Sequence, residues 1–212
     1  MSTRNDVSPE SGAGEPGEQG DDLRIRVLDA AREEILRQHG RKVSLADVAR
    51  AAGVSRPTVY RRWADLDAVV RDLCQREISR IVAAVQATTP LRTRSGFAPA
   101  IDQIVRVVGA IRDDELFSEL WRGQPEFLLP YVFDRLGSSQ LSLLNLIAES
   151  IEQGQADGWV REGDPDKLAA MVLLITQAAV QSQAVVEPIL GEDWSTELHR
   201  ALASYLEHPG KE

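Results

Sequence analysis

Residues 44–63 read SLADVARAAGVSRPTVYRRW, and the spacing of polar caps, apolar residues and glycine in this stretch predicts two short helices. Ser44, with Asp47 three residues later, has the pattern of a capping box at the start of the first helix. Gly53 stands where a tight turn needs a positive φ, and Ser55 can cap the second helix. Two short helices joined by such a turn form a helix-turn-helix unit.

The second predicted helix carries a basic outer face, because the apolar residues of the unit are spaced to face inward. The residues predicted to pack inside are Leu45, Val48, Ala49, Val54, Val59 and Trp63. The residues predicted to contact DNA are Ser44, Ser55, Arg56, Pro57, Thr58, Tyr60, Arg61 and Arg62. An arginine on the leading turn can donate two hydrogen bonds to guanine, whereas hydroxyls and the other arginines bind phosphate. Taken singly, these residues are also typical of an ordinary helix surface, and their joint occurrence favours nucleic acid.

The charge of the chain is unevenly distributed along the sequence. The 212 residues carry a formal net charge of -9, which by itself argues against a nucleic-acid partner. Between residues 41 and 63, however, six basic residues accompany a single acidic one. A short basic segment in an acidic chain is typical of a site for a polyanion, and a solvated helix face is the alternative.

The rest of the chain reads as helical, because no sustained apolar–polar alternation predicts a sheet. Residues 1–21 are rich in Gly, Glu, Ser and Pro and predict a disordered tail. Residues 22–66 form a predicted three-helix DNA-binding domain, and residues 67–212 form a predicted helical bundle. The helices predicted after the motif cover 65–87, 97–112, 114–123, 126–136, 139–156, 165–186 and 193–207, with a break at Glu187–Pro188.

Several kinds of site are not expected from this sequence. No run of about 18 apolar residues predicts a membrane span, and no apolar signal core begins the chain. Cys74 is the one cysteine, so no internal disulfide forms and a reducing cytoplasm is the expected location. The three histidines are scattered, which predicts no metal site. No Walker loop, dinucleotide fingerprint or serine elbow is found, so no cofactor and no catalytic residue are expected.

The segment 22–88 resembles the DNA-binding unit of the tetracycline-repressor (TetR) family of bacterial transcription regulators. The matching residues are Ser44, Val48, Ala49, Ala52, Gly53, Val54, Ser55, Pro57, Thr58, Val59, Tyr60, Trp63, Asp67 and Val69. One departure is Leu66, which stands where the family commonly has a lysine near the DNA backbone. The resemblance also implies phosphate contacts from the first helix, for which Arg24 and Arg26 are the candidates.

By the same resemblance, residues 67–212 form a variable domain that binds an effector and makes a homodimer. The candidate pocket residues are Phe117, Trp121, Phe127, Tyr131 and Phe133, with Asn145, Thr176, Gln177 and Gln181 as polar partners. Segment 165–186 is apolar almost all round, which predicts that its own core and a second subunit both cover it. The candidate dimer residues are Leu174, Ala178, Trp194, Leu198, Leu202 and Tyr205. For the last helix, a plain intramolecular core is the alternative.

These features predict a sequence-specific DNA-binding transcriptional regulator, a repressor that a small-molecule effector releases from a palindromic double-stranded operator. Two other interpretations stay open. The first is a helical small-molecule enzyme or carrier, which would need convergent catalytic groups that the sequence does not display. The second is a helical protein-interaction module without DNA binding.

Overall fold

The computed structural model describes residues 16–39, 41–88 and 98–207. Within these ranges the chain forms eleven α-helices and two short 3-10 turns, and no strand beyond one isolated bridge between Val160 and Glu207. The helices are α1 (Pro16–Gln38), α2 (Leu45–Ala51), α3 (Arg56–Arg62), α4 (Leu66–Thr88), α5 (Ala98–Asp113), α6 (Glu115–Gly123), α7 (Leu129–Phe133), α8 (Ser138–Ala156), α9 (Pro165–Gln181), α10 (Gln183–Leu190) and α11 (Trp194–Leu206). The predicted all-α class is confirmed.

Helix α1 begins earlier than the sequence predicts. It starts at Pro16 rather than at Asp22, so the predicted disordered tail is wrong for residues 16–21. Proline is well suited to the first helical turn, and the helix dipole favours the acidic residues that follow it. These local preferences outweigh the lack of apolar residues on which the tail was predicted. Residues 1–15 lie outside the described residues.

The apolar segment 165–186 forms part of two helices rather than one. Helix α9 ends at Gln181, and α10 starts at Gln183 and contains Pro188 in its interior. The break therefore lies at Ser182 and not at Glu187–Pro188. The backbone N–H of Ser182 still donates to the carbonyls of Ala178 and Val180, which closes α9. Serine is a weak helix former because its hydroxyl competes for backbone hydrogen bonds.

Three groups of buried apolar residues hold the helices together. The first, here called the reading-head core, joins α1, α2, α3 and the start of α4, and it includes Leu116 and Leu120 of α6. The second joins α5, α8, α9 and α11. The third is smaller and joins α4, α5 and α6 around Phe117. The reading-head core contains residues from both sides of position 66. The domain limits 22–66 and 67–212 therefore stay a prediction.

A buried carboxylate forms a charged cluster between α1 and α4. The side chain of Glu77 is 4% exposed and lies within 4 Å of three guanidinium groups. Arg76 and Arg80 both donate hydrogen bonds to it, and Arg32 of α1 lies 3.9 Å away. Burial raises the pKa of Glu77, but the hydrogen bonds from Arg80 and Arg76 outweigh that effect and leave this pKa below its usual value.

The same arginines tie the cluster to two further elements. Arg76 donates to Asp29 of α1 at 2.7 Å, and Arg80 donates to Asp114 at 3.4 Å. Asp114 in turn accepts from the backbone N–H of Leu116 and caps the start of α6. The charged cluster therefore fixes α1, α4 and α6 relative to one another.

Among the described residues, no single helix is both long and apolar enough to cross a membrane. One pair, Pro165–Gln181 with Gln183–Leu206, passes on length and composition alone and is bent by 78°.

We expect Gly53→Ala to lower the free energy of unfolding by about 1–2 kcal/mol, since Gly53 has a φ of +64° that a side chain disfavours. No heavy atom lies within 4 Å of an added Cβ there, so the loss reports backbone strain alone. Gly109→Ala is the matched control, because Gly109 lies inside α5 with equally free space. Alanine there should stabilise by about 0.5–1 kcal/mol. Urea unfolding of both variants measures the two effects, and equal signs would contradict this account.

We expect Glu77→Gln to lower the free energy of unfolding by about 2–3 kcal/mol at pH 7, because it leaves three arginines around an uncharged group. The folded-state pKa of Glu77 is lowered, so its ionised form stabilises the fold above the unfolded pKa of about 4.3. That stabilisation is lost as the pH falls through the lowered folded-state pKa. Urea unfolding at pH 7 and at successively lower pH should show the two proteins converging. Glu152→Gln on the exposed face of α8 is the control, and a pH-independent difference for Glu77→Gln would refute the assignment.

Candidate nucleic-acid interface and internal cavity

Side-chain caps define both helices of the predicted helix-turn-helix unit. The Ser44 hydroxyl accepts from the backbone N–H of Asp47 at 3.2 Å, and the Asp47 carboxylate accepts from the backbone N–H of Ser44. The hydrogen bond from Ser44 also lowers the pKa of Asp47. Ser55 caps α3 by accepting from the backbone N–H of Thr58, and the two hydroxyls lie 2.7 Å apart. The capping residues predicted from sequence therefore act as predicted.

Helix α3 is anchored from beneath by two apolar residues. Val59 is fully buried and Trp63 is 3% exposed, and both belong to the reading-head core. The indole N–H of Trp63 donates to Asp72 of α4 at 3.1 Å. This arrangement leaves the opposite side of α3 free to meet another molecule.

The outer side of α3 presents the predicted DNA-contacting residues together. Arg56, Pro57, Tyr60, Arg61 and Arg62 are exposed, and Thr58 is half-buried. Tyr60 keeps 53% of its surface exposed, so its position is not that of a core aromatic. Arg56 and Arg61 form no ion pair with any residue that the structure describes. The geometry thus offers two unpaired guanidinium groups and a phenol on one surface.

The other basic residues near this surface are partly engaged within the protein. Arg62 donates to the backbone carbonyl of Gly20 at 3.0 Å, and its guanidinium lies 5.4 Å from the Trp63 ring centroid. Arg26 donates to the carbonyl of Ala52 at 3.1 Å, close to the end of α2. Arg24 lies 3.6 Å from Asp72. Arg24 and Arg26 thus bind groups of their own chain in the free protein, and their contacts with phosphate stay a prediction.

Leu66 is half-buried and packs against the reading-head core. The residue that departs from the family pattern therefore contributes apolar contacts at the start of α4 rather than a charge at the surface.

A cavity of about 400 Å³ lies among α4, α5, α6, α7, α8 and α9. Its volume falls within the range of small-molecule sites in proteins. Of the predicted pocket residues, those that line it are Phe117, Trp121, Phe127, Tyr131, Thr176, Gln177 and Gln181. The Thr176 hydroxyl already donates to the carbonyls of Val172 and Leu173, which leaves the glutamines as freer polar groups.

One predicted pocket residue was placed wrongly from sequence. Asn145 is exposed on the outer side of α8 and does not line the cavity. Leu143, two residues before it, and Leu146, one residue after it, do line the cavity, because each residue along a helix rotates the side chain by about 100°. The side chain of Phe133 lies outside the described residues.

Helix α4 supplies cavity residues that the sequence analysis missed. Arg71, Cys74, Ile78, Val82 and Gln86 line the cavity. Their spacing of three or four residues marks one face of a helix, but the same spacing is typical of an ordinary core. Burial raises the pKa of the Cys74 thiol to about 12, so the thiol stays protonated at neutral pH.

The structure corrects three of the predicted dimer residues on α11. Trp194, Leu198 and Leu202 are between 0% and 6% exposed and belong to the core shared by α5, α8, α9 and α11. Tyr205 is half-buried under the Arg161 guanidinium, at 4.7 Å from the ring centroid. Trp194, Leu198 and Leu202 are covered by their own protomer, so they are not available to a second one. Tyr205 keeps part of its surface exposed, and its place in a dimer contact stays a prediction. The alternative of an intramolecular core describes α11.

Helix α9, in contrast, has an exposed apolar side. Leu174 is 57% and Met171 is 42% exposed, and Ala170 and Ala178 are exposed beside them. These four residues, together the α9 face, recur at helical spacing on the side opposite the buried Val172 and Thr176.

Helix α6 contacts the cavity and the reading head at once. Leu116 and Leu120 are fully buried in the reading-head core, whereas Phe117 and Trp121 line the cavity. Just after α6, the buried Gln124 side chain accepts a hydrogen bond from the backbone N–H of Val43, immediately before the α2 cap. The same nine-residue helix, α6, therefore borders both the cavity and the DNA-facing unit.

Comparison with known sequences places the helix-turn-helix unit in a family. The model of the bacterial regulatory proteins of the tetR family matches residues 27–73. An uncharacterised helix-turn-helix-type transcriptional regulator of Mycobacterium bovis is 38% identical over 182 residues. That alignment covers 85% of this chain and 93% of the relative.

Solved structures share the fold of the whole chain. QsdR, a TetR-family transcriptional repressor of R. erythropolis, aligns with a TM-score of 0.65 at 17% identity, over 91% of this chain and 98% of QsdR. SmeT, the repressor of the Stenotrophomonas maltophilia multidrug efflux pump SmeDEF, aligns with a TM-score of 0.62 at 15% identity, over 89% and 94%. The chain belongs to the tetR family of bacterial regulatory proteins and is a DNA-binding transcriptional regulator rather than an enzyme.

Proposed function

We propose that the protein is a homodimeric repressor that an effector in the internal cavity releases from a palindromic operator. The observation that carries this proposal is the exposed basic side of α3, held outward by the burial of Val59 and Trp63. A two-fold dimer presents two such helices to successive major grooves, which requires a palindromic site. A DNA operator as partner also places the protein in the cytoplasm.

We assign different roles to the residues of α3. Arg56 lies on the first turn, where a guanidinium can reach guanine in the major groove. The starts of α2 and α3 position backbone N–H groups near phosphate. The residues at these starts are Ser44 for α2 and Ser55, Pro57 and Thr58 for α3. Tyr60, Arg61 and Arg62 lie further along and supply contacts to the phosphate backbone.

A titration of the full chain with DNA flanking its own gene tests this function. We expect one palindromic fragment to bind more tightly than random DNA, with an affinity that falls linearly on a log–log plot against salt. Equal affinity for every flanking fragment and for random DNA would refute the proposal and favour a protein-interaction module.

For single residues, we expect Arg61→Ala and Tyr60→Phe to weaken binding to specific and random DNA alike. Arg61→Ala should also reduce the salt slope by about one unit. Arg56→Ala should cost about 1–3 kcal/mol on the operator and relax the preference for one base pair. Fluorescence anisotropy at three salt concentrations measures both effects.

The control for these variants is Arg200→Ala, which removes an exposed arginine on α11, far along the chain from α3. It should leave both affinities unchanged. If Arg56→Ala lowers affinity for operator and random DNA equally, Arg56 binds phosphate and its proposed role in base reading is wrong.

We assign the dimer contact to the α9 face. A second copy is the occupant that explains why Leu174 and Met171 are exposed in one protomer, because a two-fold axis lets the same apolar patch cover itself. Regulators of this family are usually homodimers.

We expect Leu174→Glu to convert the dimer to a monomer at micromolar concentration, because each interface would bury two carboxylates close together. Sedimentation velocity or light scattering measures the mass. Leu136→Glu is the matched control, since Leu136 is 50% exposed on the α7–α8 connection. It should leave the dimer intact, and an unchanged mass for Leu174→Glu would place the interface elsewhere.

We further propose that α6 transmits the effector signal. A ligand that displaces Phe117 or Trp121 must also move Leu116 and Leu120, because all four lie on one short helix. The hydrogen bond from Val43 to Gln124 then carries the movement to the start of α2. The ligand shifts the population towards a state that binds DNA less well only if it binds that state more tightly.

A further inference from the structure

The internal cavity is elongated along α4. Its lining residues on α4 extend from Val70 to Gln86, which corresponds to ~24 Å of helix. The Ser138 hydroxyl at the start of α8 donates to Gln75 of α4, and Leu146 shares a smaller depression with Gln86. Helices α4 and α8 therefore run in the same direction along the cavity.

The cavity is elongated along α4, and its volume is about 400 Å³. The walls are largely apolar, with aliphatic side chains such as Ile78, Val82 and Val107 along its length. This shape and chemistry favour an extended apolar chain over a compact polar ligand.

The two ends of the cavity differ in charge. Arg71 is the one cationic lining residue, and Glu149 is the one carboxylate among those the structure describes. Glu149 lies eleven residues beyond Ser138 on α8, which places it ~16 Å further along that helix. The cation and the carboxylate therefore mark opposite ends.

The Arg71 end has the chemistry of an anion site at the mouth of the cavity. The Nε of Arg71 donates to the Tyr131 hydroxyl at 3.1 Å, and its guanidinium is exposed without an ion pair to any described carboxylate. Arg135 lies over the same tyrosine ring, 5.4 Å from its centroid. Two guanidinium groups thus flank one phenol where the cavity meets solvent.

We propose that this cavity takes an amphipathic carboxylate, with its head at Arg71 and Tyr131 and its extended apolar chain along α4 towards Gln86. This inference rests on the proposed function, in which the cavity holds the effector. The charged head stays at the exposed mouth and retains part of its hydration, so it avoids the cost of a buried charge. Glu149 at the far end repels a second anionic group, which selects a molecule charged at one end.

Calorimetric titration of the full chain with hexanoate, octanoate and decanoate tests the assignment. We expect affinity to rise about fourfold for each added methylene that the cavity covers. Decyltrimethylammonium, with the same chain and the opposite charge, should bind at least tenfold more weakly than decanoate. Equal affinities for the anion and the cation, or no dependence on chain length, would overturn the proposal.

Arg71→Gln should weaken decanoate binding about fivefold, as expected for a partly exposed ion pair, and leave binding of decyltrimethylammonium no weaker. Because Arg71 is exposed, the thermal unfolding midpoint should not change. Arg200→Gln, an exposed arginine of α11 that does not line the cavity, is the control and should bind decanoate like the parent protein. If Arg71→Gln binds decanoate as tightly as the parent protein does, the carboxylate head does not bind at Arg71 and the proposal is wrong.

Operator binding measured in parallel separates the two proposals. If decanoate binds with the expected chain-length and charge selectivity but no DNA fragment is preferred, the cavity assignment stands and the repressor function fails. If a palindromic fragment is preferred but decanoate shows no selectivity over the cation, the function stands and the ligand class is wrong.

Discussion

A helix of seven residues is not stable by itself in water, so the DNA-facing surface depends on what holds α3 in place. Val59 and Trp63 provide that hold by burial in the reading-head core, and the Trp63 indole is further fixed by Asp72. The caps at Ser44 and Ser55 define where the helices begin. Without the core contacts of Val59 and Trp63, the basic residues of α3 would not be held on a common surface.

The reading-head core is not complete within the first four helices. Leu116 and Leu120 of α6, which come much later in the sequence, are part of this core. Phe117, the residue after Leu116, lines the cavity. Because packed interiors transmit displacement rather than absorb it, a change at Phe117 reaches the helices that face DNA. The charged cluster around Glu77 reinforces the same joint through Arg80 and Asp114.

The net charge of the whole chain does not predict whether its surface can bind DNA. The net charge of -9 belongs largely to segments outside the helix-turn-helix unit, where acidic residues exceed basic ones. Within the unit, position matters more than number. Arg56 and Arg61 point outward without ion pairs in the described structure, whereas Arg24 and Arg26 are engaged by their own chain. Counting arginines in the sequence does not separate these two groups.

Much of the local structure followed from sequence, because its causes lie within a few residues of one another. The helix-turn-helix caps, the turn at Gly53 and most helices after residue 66 were predicted close to their observed bounds. The exceptions are the start of α1, the break at Ser182 and the predicted helix 126–136, where the structure has a 3-10 turn and the short α7. The early start of α1 and the break at Ser182 both depend on balances of local preference too small for pattern analysis to resolve.

By itself, the sequence determined the all-α class, the family and the residues that form the basic outer side of α3. Only the tertiary structure decided what covers each apolar face. Helical spacing shows that Leu198 and Leu174 each belong to an apolar stripe, but the first is buried in its own protomer and the second is exposed. In the same way, only packing brought Arg71 to the cavity and left Asn145 outside it. The physical reason is that periodicity fixes the direction of a side chain relative to its helix axis, whereas its surroundings depend on helices distant in the chain.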